Sequence, residues 1–154
     1  MYSGENMINR RKSKKIYLGQ TAVGGNAPIT VQTMTKTDTR DAKATTAEIK
    51  RLHIAGCDII RLAVPDMEAA KALKEICSNS PIPVMADIHF DHRLALQSIE
   101  SGVHGLRLNP GNIRSEEKIR EVIAAAKDHK IPVRVGVNAG SLDPDLKAKY
   151  GGVT

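Results

Sequence analysis

The sequence predicts an α/β fold in which short, buried parallel strands alternate with helices. Strand-like apolar runs and helical patterns follow one another in repeats of roughly 20–29 residues, the length of a short βα unit. The residues themselves repeat, since segment 55–62 (AGCDIIRL) resembles segment 101–108 (SGVHGLRL). In each segment, a glycine suited to a helix C-terminus precedes a strand that carries an arginine. We therefore expect a parallel sheet covered by helices.

The predicted elements follow in order from the amino terminus. The turn residues Val23–Asn26 lie between two strand-like runs and predict a hairpin that leads into a first core strand at about 29–34. The pattern Thr45-Thr-Ala-Glu48 has the spacing of a capping box and predicts a first helix from there to about 55. The later periodic segments predict strands at about 58–63, 82–87, 104–108 and 131–137, and helices at about 67–77, 91–100 and 115–128.

Two architectures fit this order, an open doubly wound sheet and a (β/α)8 TIM barrel. A doubly wound sheet usually has a glycine-rich phosphate turn after its first strand, whereas here that strand leads into Thr33-Met-Thr-Lys-Thr37. Polar residues on several successive strands favour the barrel. Because a barrel needs about 250 residues, we expect residues 15–154 to supply its first five strands after the hairpin, and residues 1–14 to be a mobile basic arm.

Composition argues against several classes of function. Five cations at positions 10–15 supply most of the net charge of +6, and a solvated arm explains them better than an RNA contact does. With one Phe, three Tyr and no Trp, the chain lacks the aromatic residues on which nucleic-acid bases stack. No apolar run approaches the ~18 residues of a membrane span and no signal core is present, so we expect a cytoplasmic protein. The two cysteines, Cys57 and Cys77, are too few for a metal site and are predicted to be small core residues.

The main candidate site is a set of charged residues repeated on one face of successive strands. Arg61, Arg107 and Arg134 share this face with Asp87 and His89. A strand covered by helices is normally apolar on both faces, so these charges require a purpose. Guanidinium groups bind phosphate oxygens bidentately, and three of them with one acid predict a diphosphate clamp. The alternative is a set of structural ion pairs.

His89 is a candidate for proton transfer because a neighbouring carboxylate can orient its ring, although a metal pair or a capping role for Asp87 is the alternative. Asp91 and His92 are predicted to be a helix cap and a surface residue. The other three histidines have no supporting pattern and are assigned no role.

Polar turns follow two of the strands. Asn109 opens the turn Asn-Pro-Gly-Asn112, which can present backbone N–H groups to an anion. Asn138 lies four residues beyond Arg134 and is expected at the mouth of the barrel, with Ser141 in a small polar turn after it.

With these residues identified, the chain resembles the 4-hydroxy-3-methylbut-2-enyl diphosphate synthase family, in its N-terminal TIM-barrel part, from about Arg11 onward. The resemblance rests on five ordered motifs: VQTMT (31–35), CDIIRLAVP (57–65), PVMADIHF (83–90), GLRLNPGNI (105–113) and VRVGVNAGSL (133–142).

The resemblance implies an oxidoreductase of isoprenoid biosynthesis, on the methylerythritol phosphate route, that reductively opens 2-C-methyl-D-erythritol 2,4-cyclodiphosphate and eliminates water. Electrons would come from flavodoxin or ferredoxin through a [4Fe-4S] cluster on a separate C-terminal domain. The family is implied to be a homodimer in which the cluster domain of one subunit covers the barrel of the other.

The same resemblance assigns roles to residues of this chain. The implied substrate-binding residues are Arg61, Arg107, Asn109, Arg134 and Ser141, and the implied catalytic residues are Asp87, His89 and Asn138. No residue here is implied to be a metal ligand, because the cluster ligands belong to the downstream domain. We expect a fragment that contributes part of the substrate site, is inactive alone and self-associates through unpaired sheet edges.

Two alternatives stay open. One is a cluster-free barrel enzyme that acts on another phosphorylated small molecule. The other is a non-catalytic module that binds RNA through its basic arm, with a steep salt dependence that deletion of residues 10–15 would remove.

Overall fold

The computed structural model describes residues 11–109, 111–113, 115–142 and 144–151. Two short strands come first, followed by five further strands that alternate with helices. In chain order the elements are β1 (Ile16–Leu18), β2 (Thr21–Val23), β3 (Gln32–Met34), α1 (Ala42–Ile54), β4 (Ile59–Ala63), α2 (Met67–Asn79), β5 (Val84–Ile88), α3 (His92–Glu100), β6 (Gly105–Leu108), α4 (Glu116–Asp128), β7 (Val133–Val135), a 3₁₀ turn (Ala139–Ser141) and α5 (Pro144–Lys149).

Strands β3 to β7 form one parallel sheet in sequence order. Helices α1 to α4 pack side by side, each against the next. A doubly wound sheet would reverse its strand order at a switch point, and this sheet does not. The arrangement is that of consecutive strands in a barrel wall, which confirms the fold predicted from the sequence.

The hydrophobic core lies between the sheet and the helix layer. Ile60 and Leu62 of β4 are fully buried there, and Arg61 between them points to the opposite face. From the helix side, Ile49, Leu73 and Ile76 are fully buried against them. Each such side chain contributes about 1.5–3 kcal/mol of transfer free energy, so the packing of this layer sets the orientation of the inner face.

The helix boundaries follow their caps. Asp66, Asp91 and Ser115 each accept a hydrogen bond from a backbone N–H in the first turn of α2, α3 and α4. The capping box predicted at Thr45 is wrong. Asp41 caps α1 instead, and the Thr45 hydroxyl, one turn inside the helix, donates to the carbonyl of Asp38.

Glu48, the other half of the predicted capping box, anchors the loop between β3 and α1. Its Oε2 accepts hydrogen bonds from the backbone N–H groups of Lys36 and Thr37, both at 3.0 Å, and from the Thr37 hydroxyl at 2.9 Å. Burial opposes ionisation of Glu48, but these hydrogen bonds outweigh it and hold the pKa of the carboxyl below its ordinary value. A helix carboxylate therefore orders the first loop at the carboxyl end of the sheet.

The N-terminal hairpin is present, but its turn differs from the prediction. Leu18 pairs with Thr21, which places the turn at Gly19 and Gln20 rather than at Val23–Asn26. Leu18 packs against Ile59 and Met85 on the inner face of the sheet. The hairpin therefore closes the amino end of that face.

Strands β3 and β7 are shorter than predicted. Ile29 is 95% exposed and lies outside the sheet, so the first core strand begins at Gln32. Pairing of β7 stops at Val135, and the chain then turns into the 3₁₀ segment, which the sequence analysis did not predict. Of the predicted basic arm, residues 11–14 are exposed and irregular, whereas residues 1–10 lie outside the described residues.

His104 connects the hairpin turn to the sheet. Its Nδ1 accepts a hydrogen bond from the backbone N–H of Val84 at 3.1 Å. Gly19 lies against its ring, and a Cβ at that position would come within 2.8 Å of His104 Cδ2. Partial burial lowers the pKa of His104 below its ordinary value, because the protonated ring is less well solvated there.

This geometry predicts an acid-sensitive contribution to stability. The unfolded chain binds a proton at His104 more readily, so the free energy of unfolding should fall as the pH drops below about 6.5, the ordinary histidine pKa. His104→Asn removes this titration while keeping an acceptor, and its stability should depend less on pH between about 7.5 and 5. Urea unfolding at both pH values measures the difference, with exposed His129→Asn as the control. Identical pH dependence of wild type and His104→Asn would contradict the assignment.

Candidate functional site

The inner face of the sheet carries the charged residues that the sequence analysis singled out. Asp87, Arg107 and Arg134 lie in one row across β5, β6 and β7, because they are partners in the parallel ladder. Arg61 pairs with Met85 one pleat nearer the amino ends of the strands. Charged and apolar side chains therefore alternate along these strands as predicted, and the charged residues lie on one surface.

Asp87 is the centre of this cluster. Its side chain is only 4% exposed. Oδ1 accepts a hydrogen bond from Arg107 Nη1 at 3.0 Å, and Oδ2 lies 3.4 Å from Arg61 Nε. His89 Nε2 lies 3.4 Å from Oδ1. One buried carboxylate thus compensates the charge of two arginines on its neighbouring strands and contacts the imidazole at the end of its own strand.

Arg61 keeps unused donor capacity. Its Nη2 contacts the thioether sulfur of Met34 at 2.8 Å, and sulfur is a weak acceptor. Its buried Nε lies within ion-pair distance of Asp87 but lacks hydrogen-bond geometry to any described residue. The Nε atom itself is buried beside this carboxylate, whereas the Arg61 side chain as a whole is 23% exposed and can present its other donors to a bound molecule.

Arg107 is held from two sides. Opposite Asp87, its Nη2 donates to the backbone carbonyl of Gly136 at 3.2 Å. A Cβ on Gly136 would come within 2.7 Å of Arg107 Nε, so only glycine allows the guanidinium to approach this closely. The role of Gly136 was not predicted from the sequence, because it depends on an arginine of the neighbouring strand.

Arg134 has a different kind of partner. Its Nη1 donates to Gln32 Oε1 at 2.9 Å across the concave side of the sheet. Over the described ranges no carboxylate lies within ion-pair distance of Arg134. Gln32 was not among the predicted site residues. Its position two residues before Met34 places both side chains on the inner face.

These side chains border a cavity of about 490 Å³ at the carboxyl ends of the strands. Its wall includes Arg61, Asp87, Arg107 and Arg134, with His89 and Asn138 nearer the rim. His89 is 53% exposed, so its ring is accessible to a bound molecule. The cavity is therefore lined by several donors and by a single carboxylate among the described residues.

Asn109 and Ser141 lie together but outside the lining of this cavity. Buried Asn109 donates through Nδ2 to Ser141 Oγ at 3.0 Å and accepts from the backbone N–H of Gly111 at 3.2 Å. Ser141 Oγ also accepts from the backbone N–H of Asn138 at 3.1 Å. These bonds connect the loop after β6 to the 3₁₀ turn after β7. A direct substrate contact by Asn109 or Ser141 stays a prediction.

The prediction that His92 is a surface residue is wrong. Its side chain is 16% exposed and lies between two carboxylates, 3.5 Å from Asp91 Oδ1 and 3.6 Å from Glu121 Oε2. Asp91 has the predicted capping role. The partner that covers His92 comes from α4, which local sequence patterns cannot reveal.

The described residues do not fit an iron–sulfur cluster. Both cysteines behave as predicted: Cys57 is buried in the core with its Sγ against the carbonyl of Ile59, and burial raises the pKa of Cys77 to about 12. Cluster ligands are thiolates, which the buried environment of Cys77 disfavours, and Cys57 is enclosed by the apolar core. Within the described ranges, no three His, Cys, Asp or Glu side chains are grouped to hold a metal. None of the helices in the same ranges is long and apolar enough to cross a membrane.

The fold and the cavity define a barrel-type domain with an arginine-lined cavity at the carboxyl ends of its strands. Residues 13–154 match the family described as the GcpE TIM-barrel domain, and the chain belongs to that family.

Two curated relatives carry the name 4-hydroxy-3-methylbut-2-en-1-yl diphosphate synthase (flavodoxin). The one from Thermodesulfovibrio yellowstonii is 59% identical over 145 residues, covering 94% of this chain and 42% of the relative. The one from Dehalococcoides mccartyi is 61% identical over 140 residues, covering 91% and 40%. The chain thus spans about two fifths of the length of these relatives.

Among solved structures, dihydropteroate synthase from Xanthomonas albilineans, in complex with indole-2-carboxylic acid and 6-chloroguanine, matches with a TM-score of 0.57 at 14% identity. The match covers 88% of this chain and 54% of that one. At this identity the likeness concerns the fold alone.

Asp87→Asn should destabilise the protein strongly. The substitution keeps the shape of the side chain but leaves two guanidinium groups on adjacent strands without a counter-charge, which costs about 3 kcal/mol in comparable buried pairs. Denaturant unfolding measures the loss. Asp128→Asn, at an exposed position, is the control and should change the free energy of unfolding by less than about 0.5 kcal/mol. Equal stability of the two variants would contradict the central role of Asp87.

Gly136→Ala should displace Arg107 while leaving the fold intact. The added Cβ would push the guanidinium from its carbonyl partner, at a cost of about 1 kcal/mol in stability. Affinity for inorganic pyrophosphate, measured by calorimetry, should fall roughly tenfold. Gly140→Ala is a matched control because nothing lies within 4 Å of its Cβ position. Unchanged pyrophosphate affinity in Gly136→Ala would show that the close approach of Arg107 is unnecessary for anion binding.

Proposed function

We propose that this chain forms the diphosphate-binding wall of a 4-hydroxy-3-methylbut-2-en-1-yl diphosphate synthase that acts on 2-C-methyl-D-erythritol 2,4-cyclodiphosphate. The observation that carries the proposal is the excess of guanidinium groups in the 490 Å³ cavity, where three arginines face one carboxylate among the described residues. The names of the relatives support the same reaction.

The arrangement of charge suits a cyclic diphosphate. Asp87 compensates Arg61 and Arg107 in part and holds their planes in position, while Arg134 keeps its full charge. Guanidinium groups pair bidentately with phosphate oxygens, and the Nη2 group of Arg61, which contacts a weakly accepting thioether sulfur, would find a stronger acceptor there. Substrate binding would thus satisfy donors that the protein alone leaves without good acceptors.

The residues at the rim would serve the reacting end of the substrate. His89 is accessible and lies beside the Asp87 carboxylate, so it can carry a proton to an oxygen that leaves as water. Asn138 borders the same cavity and would donate or accept a hydrogen bond at a substrate oxygen. Asn109 and Ser141 would position the loops around it.

Ring opening with loss of water consumes two electrons, and a [4Fe-4S] cluster would supply this redox chemistry. Because the described residues do not fit a cluster, its ligands would come from outside this chain. Flavodoxin, which the names of the relatives specify, is the proposed electron donor, with ferredoxin as the alternative. We place the reaction in the cytoplasm, in a homodimer in which one subunit's cluster domain covers the barrel of the other.

Arg134→Ala in the whole natural protein should abolish most of the affinity for the cyclic diphosphate. None of the described carboxylates pairs with its charge, so the expected loss is about 10- to 100-fold, as for a charge-assisted hydrogen bond. Anaerobic calorimetry measures the dissociation constant. Arg120→Ala is the control, because Arg120 pairs with Glu116 on the exposed face of α4.

An Arg134→Ala protein that binds the substrate as well as the wild type would contradict the proposal. Iron and sulfide analysis of the same anaerobic preparations separates the cluster-free alternative: about four of each per chain are expected for a [4Fe-4S] enzyme. Their absence after reconstitution would favour another phosphate-binding barrel enzyme.

A further inference from the structure

We propose that Gln32 is a positioning residue for Arg134, which it holds across the concave face of the sheet without neutralising its charge. The inference deepens the proposed function and rests on it for the identity of the substrate. It assigns a role to a side chain that belongs to no motif of charged residues and whose described hydrogen bond to the site is the one to Arg134.

The two residues come from the two edges of the parallel sheet. Gln32 lies on β3 and Arg134 on β7, and the remaining three strands separate them. Their 2.9 Å hydrogen bond therefore spans the concave face of the sheet rather than following a ladder. Arg134 is exposed, so without this contact its guanidinium could move away from the concave face, and repulsion by the adjacent Arg107 would favour that movement.

The orientation of the Gln32 amide is determined on both sides. A guanidinium has only donors, so the carbonyl oxygen Oε1 must face Arg134. The Nε2 group points to the sulfur of Met85 at 3.6 Å, and Met85 is buried against Leu18 and Ile59 beneath it. Leu18 of the hairpin and Ile59 thus fix Met85, which contacts the amide of Gln32, and the amide in turn fixes Arg134.

The pair also separates two cavities. Arg134 borders the polar cavity of about 490 Å³ and also an apolar cavity of about 430 Å³ on the amino side, which Gln32, Leu18, Ile59 and Met85 line. Gln32 contacts the guanidinium from this apolar side. The opposite side of the guanidinium is left for an anion in the polar cavity.

The neutrality of Gln32 is the central feature. Arg61 and Arg107 share the charge of Asp87, whereas the one described polar partner of Arg134 is an amide. A carboxylate in place of that amide would compete with a phosphate for the same charge. Gln32 therefore combines two properties that an acid or an apolar residue cannot: it orders Arg134, and it leaves the charge available to the substrate.

The test compares Gln32→Glu and Gln32→Leu in the whole natural protein. Gln32→Glu keeps the shape and adds an ion pair to Arg134, so KM for the cyclic diphosphate and Kd for inorganic pyrophosphate should rise roughly tenfold or more. Gln32→Leu loses the acceptor only, and both constants should rise about threefold. kcat and the melting temperature of Gln32→Glu should stay near the wild-type values. Gln20→Glu, the same change in the exposed hairpin turn, is the control.

A structural role alone would give a different result, with a lower melting temperature and losses in kcat as large as those in KM. The Gln32→Leu change should also add little to an Arg134→Ala background, because its effect acts through that arginine. The proposal is overturned if Gln32→Glu matches the wild type in KM and in pyrophosphate Kd, or if the two substitutions add independently.

The same measurements separate this inference from the proposed function. Pyrophosphate binding that depends on Gln32, in a protein that does not convert the cyclic diphosphate, would reject the substrate and retain the positioning role. Conversion of the cyclic diphosphate with no sensitivity to Gln32→Glu would support the proposed function and reject the positioning role of Gln32. A wild-type protein that binds no pyrophosphate would count against the inference, since a guanidinium with its charge available must attract that anion.

Discussion

The ion pairs of Asp87 are the interaction on which the inner face of this protein depends. Three neighbouring strands meet at this carboxylate: β4 contributes Arg61, β5 the aspartate itself and β6 Arg107. Two guanidinium groups this close would repel each other in an interior that screens charge poorly. With the carboxylate between them, the strands can pair in register, and Arg107 can reach the backbone of Gly136 on the next loop. The shape of the cavity follows from this one contact.

Charge is distributed unequally over the site, and this inequality has a physical purpose. A carboxylate beside every arginine would stabilise the chain but leave nothing to attract an anion. No carboxylate at all would make the fold costly to form. The observed arrangement lies between these limits, with two arginines compensated by Asp87 and one held by the neutral amide of Gln32. The stability of the wall therefore depends most on Asp87, and the attraction for an anion depends most on Arg134.

The sequence contained enough to predict the strand order, most helix boundaries and the shared face of Arg61, Asp87, Arg107 and Arg134, because alternation and helix caps are local patterns. It misled where a side chain has a distant partner. Thr45 and Glu48 have capping-box spacing, yet both contact the preceding loop. The environment of His92 comes from α4. Gln32 is an unremarkable strand residue until β7 comes to lie across from it. In each case the deciding partner lies outside the local pattern, from 7 residues away for Thr45 to 102 residues away for Gln32.

The loop after β3 illustrates how such a site can change over time. Glu48 holds this loop mainly through backbone N–H groups, which every residue except proline provides. The Lys36 side chain is exposed and takes no part in that anchor. Substitutions at this position can therefore alter what the loop presents to other molecules while the path of the loop stays the same. The order of the first loop and the chemistry that it displays can evolve separately.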